Sequence, residues 1–596
     1  MIMPSFKEIT DKALNAFKRF PITLIWAIFG TLFFIWLIDV DSTQLFDKHQ
    51  GTMLTFGLGV SWLIGTKFLM EHLNQPKKWQ WLQIVTLLLL IAFYLHLPDL
   101  KPNNVNPKYY IRFILYLLAG HLFLFFAPFA FKWNKEAYWN YLKSICIAVG
   151  RSFLFSGVLY LGLVLALLAV KYLFDFEIRG ERYGQLFVFC LGIVNTWTYL
   201  SDFPKNILDK NTIKYNKALE VFVKYILIPL VLLYIVILYA YTIKIVLAWN
   251  LPKGWVSYLV TALALLGFAI QIMINPVQKT IKSWTINRFY PWFYILLLPL
   301  IILLFVAIFK RIGDYGITEN RYFILVIAIW ILGITLYLLI SKRKSLKMLP
   351  SSLFLLIVLG SFGFWSVFNI SKNSQKAQFI NLFSAVKENN NIATGTEHDQ
   401  LKSIIDYLND RKAVSELDEI TGISIENAMN DTVLSWSNYS LPRKLLDSLQ
   451  ISIDQESLIA EKADSDYYYY NNWDNSTTLN ISGFKYFKQI HLSNNNDNME
   501  ESLASFNIQF LHKSNELWLV SKKDSTLKLG FSLQDRLMTL STYGPDPNEL
   551  EADKLTMVSK HKSLSGKLIF NELNFTKEKD SIHINNANAY LFLKVD

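Results

Sequence analysis

The stretch FKRIGDYGITENRYFILVIAIWILGITLYLLISKRK, Phe309 to Lys344, decides how this chain is read. It begins where one apolar run ends, breaks into a tight charged loop, then launches a second apolar run. Gly313 and Gly316 are expected to relieve the backbone where the chain reverses. Thr318 stands at the position of a helix N-cap, and Glu319 in the first turn suits the positive end of the helix dipole. From Tyr322 to Ile340 there is no charged residue. At 1.5 Å per residue that run is about 28 Å long, close to the roughly 30 Å of hydrocarbon in a bilayer. Ser341-Lys342-Arg343-Lys344 then stops it.

The same grammar repeats through the first 370 residues. The expected fold is an α-helical polytopic membrane bundle of about eleven transmembrane helices. They fall near 20–38, 52–70, 79–96, 109–131, 144–171, 183–201, 221–248, 256–275, 290–309, 321–340 and 350–369. Pro229 is expected to kink the seventh, and Pro128 comes near the end of the fourth. Residues 1–19 place Phe6, Ile9, Ala13 and Phe17 on one helical face, with Lys7, Lys12, Lys18 and Arg19 outside it. This reads as an amphipathic cytoplasmic segment or as a basic lead-in to the first span. The first apolar run is too long for a cleaved signal and lacks a small-residue cleavage site, so it is expected to remain as an anchor.

The run Lys310-Arg311-Ile312-Gly313-Asp314-Tyr315-Gly316-Ile317-Thr318-Glu319-Asn320-Arg321-Tyr322, followed by a Trp-containing apolar helix, resembles a bacterial family catalogued as domain of unknown function 4153. Phe176-Glu177-Ile178-Arg179-Gly180 and Tyr199-Leu200-Ser201 are similar to it as well. The resemblance implies a multi-pass membrane protein and brings no catalytic residues with it.

Charge divides the chain. From Ser371 to Asp596 there are 23 Lys and Arg against 31 Asp and Glu, a net of −8, while the remainder carries +19. The basic residues sit between apolar spans, so they report membrane topology rather than nucleic-acid binding. With the N-terminus placed in the cytoplasm, twenty basic residues fall on that side and nine on the other, as the positive-inside rule requires. An odd number of spans then puts the acidic tail outside the cytoplasmic membrane. The only cysteines, Cys146 and Cys190, lie in or beside apolar segments, which excludes a disulfide framework or Cys-based metal site in the tail.

The tail is expected to be a soluble α+β domain with an antiparallel sheet. Its expected divisions are 371–460, helical, and 461–596, β-rich, after a bundle at 20–370. Leu401 to Leu408 is apolar at i, i+3, i+4 and i+7. Alternation marks strands at 479–481, 506–510, 568–570, 582–584 and 590–593. Residues 494–498 and 543–547 read as loops.

None of the eleven apolar cores contains Asp or Glu, which argues against an ion-driven pump, because such carriers need a group that binds and releases the cation. His121, near the middle of the fourth span, is a ligand candidate; the alternative is a neutral imidazole bonded to a neighbouring helix. Arg112, Arg151 and Lys244 are read as snorkelling from span ends. Two charged loops, Asp175–Arg182 and Lys310–Arg321, offer Glu177, Arg179, Arg182, Arg311, Asp314, Glu319 and Arg321. They are expected to pair with each other, dock the tail, bind a lipid headgroup, or stand as solvated turns. Asp39 and Asp41 in the first outer loop are the candidates for a catalytic role, or else they mark a helix end. In the tail, Tyr467 to Tyr470 with Trp473 either present aromatic platforms or contribute two tyrosines to a core. No His spacing or hydrolase motif suggests a metal, cofactor or known chemistry.

The reading is therefore a non-enzymatic protein of the bacterial inner membrane. It anchors an extracytoplasmic domain that binds an envelope protein, lipid or glycan, with a transport or lipid-handling role beside it and no nucleic-acid partner. The alternative is a membrane-embedded transferase using Asp39 or Asp41 on a lipid-linked substrate.

Overall fold

The computed structural model describes residues 6–73, 76–98, 106–203, 207, 215–248, 255–278, 281–341, 344–424, 441–454, 467–471, 482–493, 501–512, 514–544, 552–578 and 581–595. Two compact units divide the chain. One comprises Met1–Asn381 with Ile404–Asp431, the other Leu382–Ser403 with Thr432–Asp596.

In the first unit, nine helices among the described residues are long and apolar enough to cross a membrane: Pro21–Val40, Gln50–His72, Lys77–His96, Lys108–Phe129, Lys135–Phe174, Lys217–Leu247, Val256–Ile274, Pro291–Tyr315 and Glu319–Ile340. Two expected spans take other forms. The sixth is a continuous run, Gly180–Phe189, Cys190–Asn195 and Thr196–Ser201, whose middle piece is π-helical. The last shortens to Met348–Gly360. The count of about eleven is consistent with this inventory.

Lipid is the solvent that makes these helices stable. Leu154, Leu161 and Leu165 on the long Lys135–Phe174 helix are exposed by 61%, 61% and 66%. A row of apolar side chains like this is stable only against hydrocarbon, where helices also satisfy every backbone group internally. Inside, Phe68 is fully buried and meets Phe20, Tyr141 and Phe203 with ring centroids at 5.6, 5.8 and 4.9 Å. Gly267 allows a close approach, since a β-carbon there would lie 1.9 Å from the Phe293 ring.

Pro229 has no N–H to give the helical ladder. The chain adjusts through a π-helical turn, Val223–Leu227, immediately before the Ile228–Ala248 helix. The described part of the Phe6–Arg19 helix packs on the bundle itself. Trp197 Nε1 donates to the Ala13 carbonyl at 3.0 Å, Phe17 stacks on Trp197, and Arg19 forms a two-pronged pair with Glu71 at 3.0 and 2.7 Å.

The second unit holds two antiparallel sheets. Tyr467–Asn471, Leu564–Glu578, Ser581–Val595 and Tyr486–Ser493 lie side by side in that order, with Thr556–His561 paired to the first part of Leu564–Glu578. The other sheet is a meander of Glu501–Leu503, Phe506–Leu511, Glu516–Ser521 and Lys528–Ser532. Phe506, Ile508 and Phe510 are buried while Asn507 and Gln509 are exposed, the two-residue period of a half-buried strand. Both sheets bury their apolar faces in one core. Tyr468 and Tyr470 belong to it, Tyr468 stacked on Phe575 at 4.9 Å, whereas Tyr467 faces out. The Tyr470 hydroxyl is shared between the carbonyls of Leu540 and Gly544, each at 2.6 Å. The helix anticipated at 401–408 is Gly395–Asp410, with Leu401, Ile404, Ile405 and Leu408 buried. Trp473, the strand at 479–481, and the loop residues 494–498 and 545–547 lie outside the described residues.

Candidate functional site

The bend between the last two full-length spans is a densely bonded polar feature of the membrane unit. The Trp284–Tyr315 helix continues past its apolar part, so Gly313 is helical and does not make the reversal, contrary to the sequence reading. Lys310 and Asp314 pair along that helix at 3.0 Å. The reversal falls on Gly316, with φ +69° and ψ −177°, a region open essentially to glycine alone. Thr318 occupies the N-cap position in extended conformation, but its side chain makes no capping bond.

A bend of this kind leaves backbone groups outside any ladder, and each needs a partner. Side chains supply them. Arg321 Nη1 donates to the carbonyls of Tyr315 and Gly316 at 3.0 and 2.8 Å. From the Val367–Glu388 helix, Gln375 Nε2 donates to the carbonyls of Tyr315 and Ile317 at 2.9 and 3.1 Å, and Ser374 Oγ accepts from the Ile317 N–H at 2.8 Å. Gln375 is buried, so these bonds form away from water. Of the charged residues offered by this loop, Arg321 and Asp314 are used within it, and Arg311 is half-buried beside them.

Glu319 turns away from the loop and pairs with Arg411. Nε to Oε1 is 3.1 Å and Nη2 to Oε2 is 3.3 Å, with the glutamate side chain only 8% exposed. Asn106 Nδ2 donates to the Arg411 carbonyl at 2.7 Å, and the guanidinium lies 4.4 Å from the Tyr407 ring centre. Burial, then the negative charge of Glu319, hold the Tyr407 hydroxyl well above its ordinary range. Burial works against the charge on Arg411, but the bonds and charge of Glu319 outweigh it and raise its pKa. Nearby on the same side, Glu416 takes Lys372 at 2.5 Å and Lys376 at 3.6 Å.

The other candidates lie elsewhere. Asp39, at the end of the Pro21–Val40 helix, pairs with Arg182 at 2.8 Å and accepts from Gln185 Nε2 at 3.2 Å. Gln185 Nε2 also donates to the Ile35 carbonyl. Asp41 adopts a left-handed conformation, φ 46°, as the helix C-cap. Glu177 and Arg179 are exposed. No ion pair joins the two charged loops among the described residues. His121 is exposed, and its Nδ1 bonds the Leu117 carbonyl of its own helix at 2.8 Å rather than a neighbouring helix. Arg151 reaches Asp202 at 3.0 Å. Arg112 departs from the snorkelling expectation, because it is only 8% exposed.

Along the two helices that carry Asp39 and Gln185, with the Gln50–His72 helix and the Cys190–Asn195 segment, lies a partly open apolar pocket of about 270 Å³ lined by Trp26, Gly30, Phe34, Phe56, Val188 and Gly192. Among the described residues, no group of three or more His, Cys, Asp or Glu is placed to hold a metal ion.

These features define a polytopic helical membrane protein with a β-rich C-terminal region. The chain belongs to the family described as domain of unknown function DUF4153, whose model matches residues 23–379. It is 24% identical over 391 residues to Uncharacterized protein PM1469 of Pasteurella multocida (strain Pm70), an alignment covering 64% of this chain and 62% of that protein. No solved structure matches.

Proposed function

We propose that the membrane unit is a platform that anchors an extracytoplasmic domain to the cytoplasmic membrane, the tail being the part that binds an envelope protein, lipid or glycan. The observation that carries this reading is the grip of the Gly316 bend on Ser374 and Gln375, reinforced by Glu319 and Arg411. Glu319 is spent on Arg411, and Lys310, Asp314 and Arg321 on contacts within the loop, which supports a structural role for this loop over ligand binding. The surplus of Lys and Arg in the loops assigned to the cytoplasm supports this side of the membrane. The test is complementation of a deletion strain, with a reporter enzyme active only outside the cytoplasm fused after Asp596. Gly316→Arg is expected to abolish complementation while Asp39→Asn and Asp41→Asn retain it. Loss of complementation in either aspartate variant, with the chain accumulating normally, overturns the reading.

One observation favours a second reading, action on a lipid-linked substrate. The Asp39, Arg182 and Gln185 cluster stands about 7 Å along the helix from Phe34, which lines the apolar cavity. An apolar slot beneath a polar cap matches the shape of an amphiphile, and Asp39 would be the group nearest its head.

A further inference from the structure

We infer that Arg112, with Lys108 and Lys372, forms a binding site for a phosphate-bearing anion at the end of the bundle where the Val367–Glu388 helix begins. Arg112 differs from the ion-paired arginines of this unit. Arg19 meets Glu71, Arg151 meets Asp202, Arg182 meets Asp39 and Arg411 meets Glu319. Arg112 is as buried as a core leucine, yet no carboxylate pairs with it among the described residues. A guanidinium removed from water without a counter-charge is disfavoured, so this position calls for an anion.

The donors are arranged to receive one. Arg112 Nη1 bonds His96 Nε2, an acceptor without charge, and Nε has no acceptor among the described residues. Phe368 forms a wall, with the Arg112 guanidinium 5.2 Å and the Lys108 ammonium 5.8 Å from its ring centre. Lys108 lies one helical turn before Arg112, so both cations reach the same ring, and Lys372, one turn after Phe368, is held nearby by Glu416. The charges of Arg112 and Lys372 both bear on Lys108. The carboxylate at hand is Glu416, which is shared between Lys372 and Lys376. The cluster therefore keeps an excess of positive charge.

A planar guanidinium with a free Nε, beside two ammonium groups, suits the oxygens of a phosphate. Lys108 opens its span, the level at which lipid headgroups lie. The phosphate could belong to an anionic phospholipid or to a soluble phosphate, and the experiment separates them. Purified, delipidated full-length chain is given phosphatidylglycerol or phosphatidylcholine and retained lipid is counted by native mass spectrometry; inorganic phosphate is titrated in parallel by calorimetry. The comparison is made with Arg112→Gln and, at partly exposed positions that leave the core intact, Lys108→Gln/Lys372→Gln. A preference for phosphatidylglycerol that falls about tenfold or more in both variants assigns a lipid. Binding of inorganic phosphate lost in both variants, without a lipid preference, assigns a soluble ligand. Binding of neither, or binding unchanged by the substitutions, overturns the inference.

Discussion

Glu319 and Arg411 meet two-pronged across 92 positions of sequence, one at the start of a membrane span and the other just after the Gly395–Asp410 helix. Removing either partner leaves the other buried without its counter-charge. Glu319→Gln or Arg411→Met is expected to destabilise the membrane unit by about 3 kcal/mol, read as a lower thermal unfolding midpoint in detergent. The double variant should lose much less than the sum of the two, because it leaves no orphan. Additive losses would show that the pair is not coupled.

Gly316 and Gly313 make a controlled comparison three residues apart. At Gly316 a β-carbon would meet Gln375 Nε2 at 2.9 Å and Ser374 Oγ at 3.3 Å, on a backbone with φ +69°. Gly316→Ala should cost about 1–3 kcal/mol from strain alone and expose the bend to protease. Gly313 is helical with nothing within 4 Å of that position. Gly313→Ala is therefore expected to be neutral or to stabilise by up to about 1 kcal/mol. Equal effects at the two sites would refute this account of the bend.

The apolar runs were legible because lipid solvation is a composition rule: nineteen residues without charge can do little else in a helical chain. The strand alternation at Phe506–Phe510 was legible for the same kind of reason, a two-residue period with one face buried. The partners of the charged loop were not. Ser374 and Gln375 sit in a polar segment whose spacing says only that it is helical, and Arg411 carries no mark linking it to Glu319. Arg112 was misread because a cation near a span end usually reaches water. Only its burial, with the Phe368 ring over the guanidinium, shows that this one does not. The π-helical piece of the sixth span has a faint signal in Gly192, where a β-carbon would lie 2.0 Å from Thr31 Oγ1.

Asp39 tests whether charge in the first outer loop is structural or chemical. Asp39 and Arg182 are each about half exposed, and such a pair contributes roughly 1 kcal/mol or less. Asp39→Asn and Arg182→Gln should thus shift the unfolding midpoint by no more than that amount. On the platform reading both also complement a deletion. A variant with wild-type stability and no complementation would place chemistry at Asp39 instead.

His398 makes a prediction about pH, and its sign can be worked out. It lies in the Gly395–Asp410 helix, where burial pushes its pKa below the usual 6.5; Asp399 and Asp447 oppose the shift, while Lys402 and Arg443 assist it. The folded chain therefore holds this imidazole neutral at pH values where the unfolded chain has already protonated it. Stability depends on the difference in bound protons, so the contribution is fully present above 6.5 and is lost as pH falls through the lowered folded value. The full chain should melt at a lower temperature at about pH 5.5 than at about pH 7.5. Carboxylates add an acid slope of their own, so the diagnostic is the comparison with His398→Gln, which should show a shallower decline across that interval. Identical declines in the two proteins would mean that His398 titrates alike in both states.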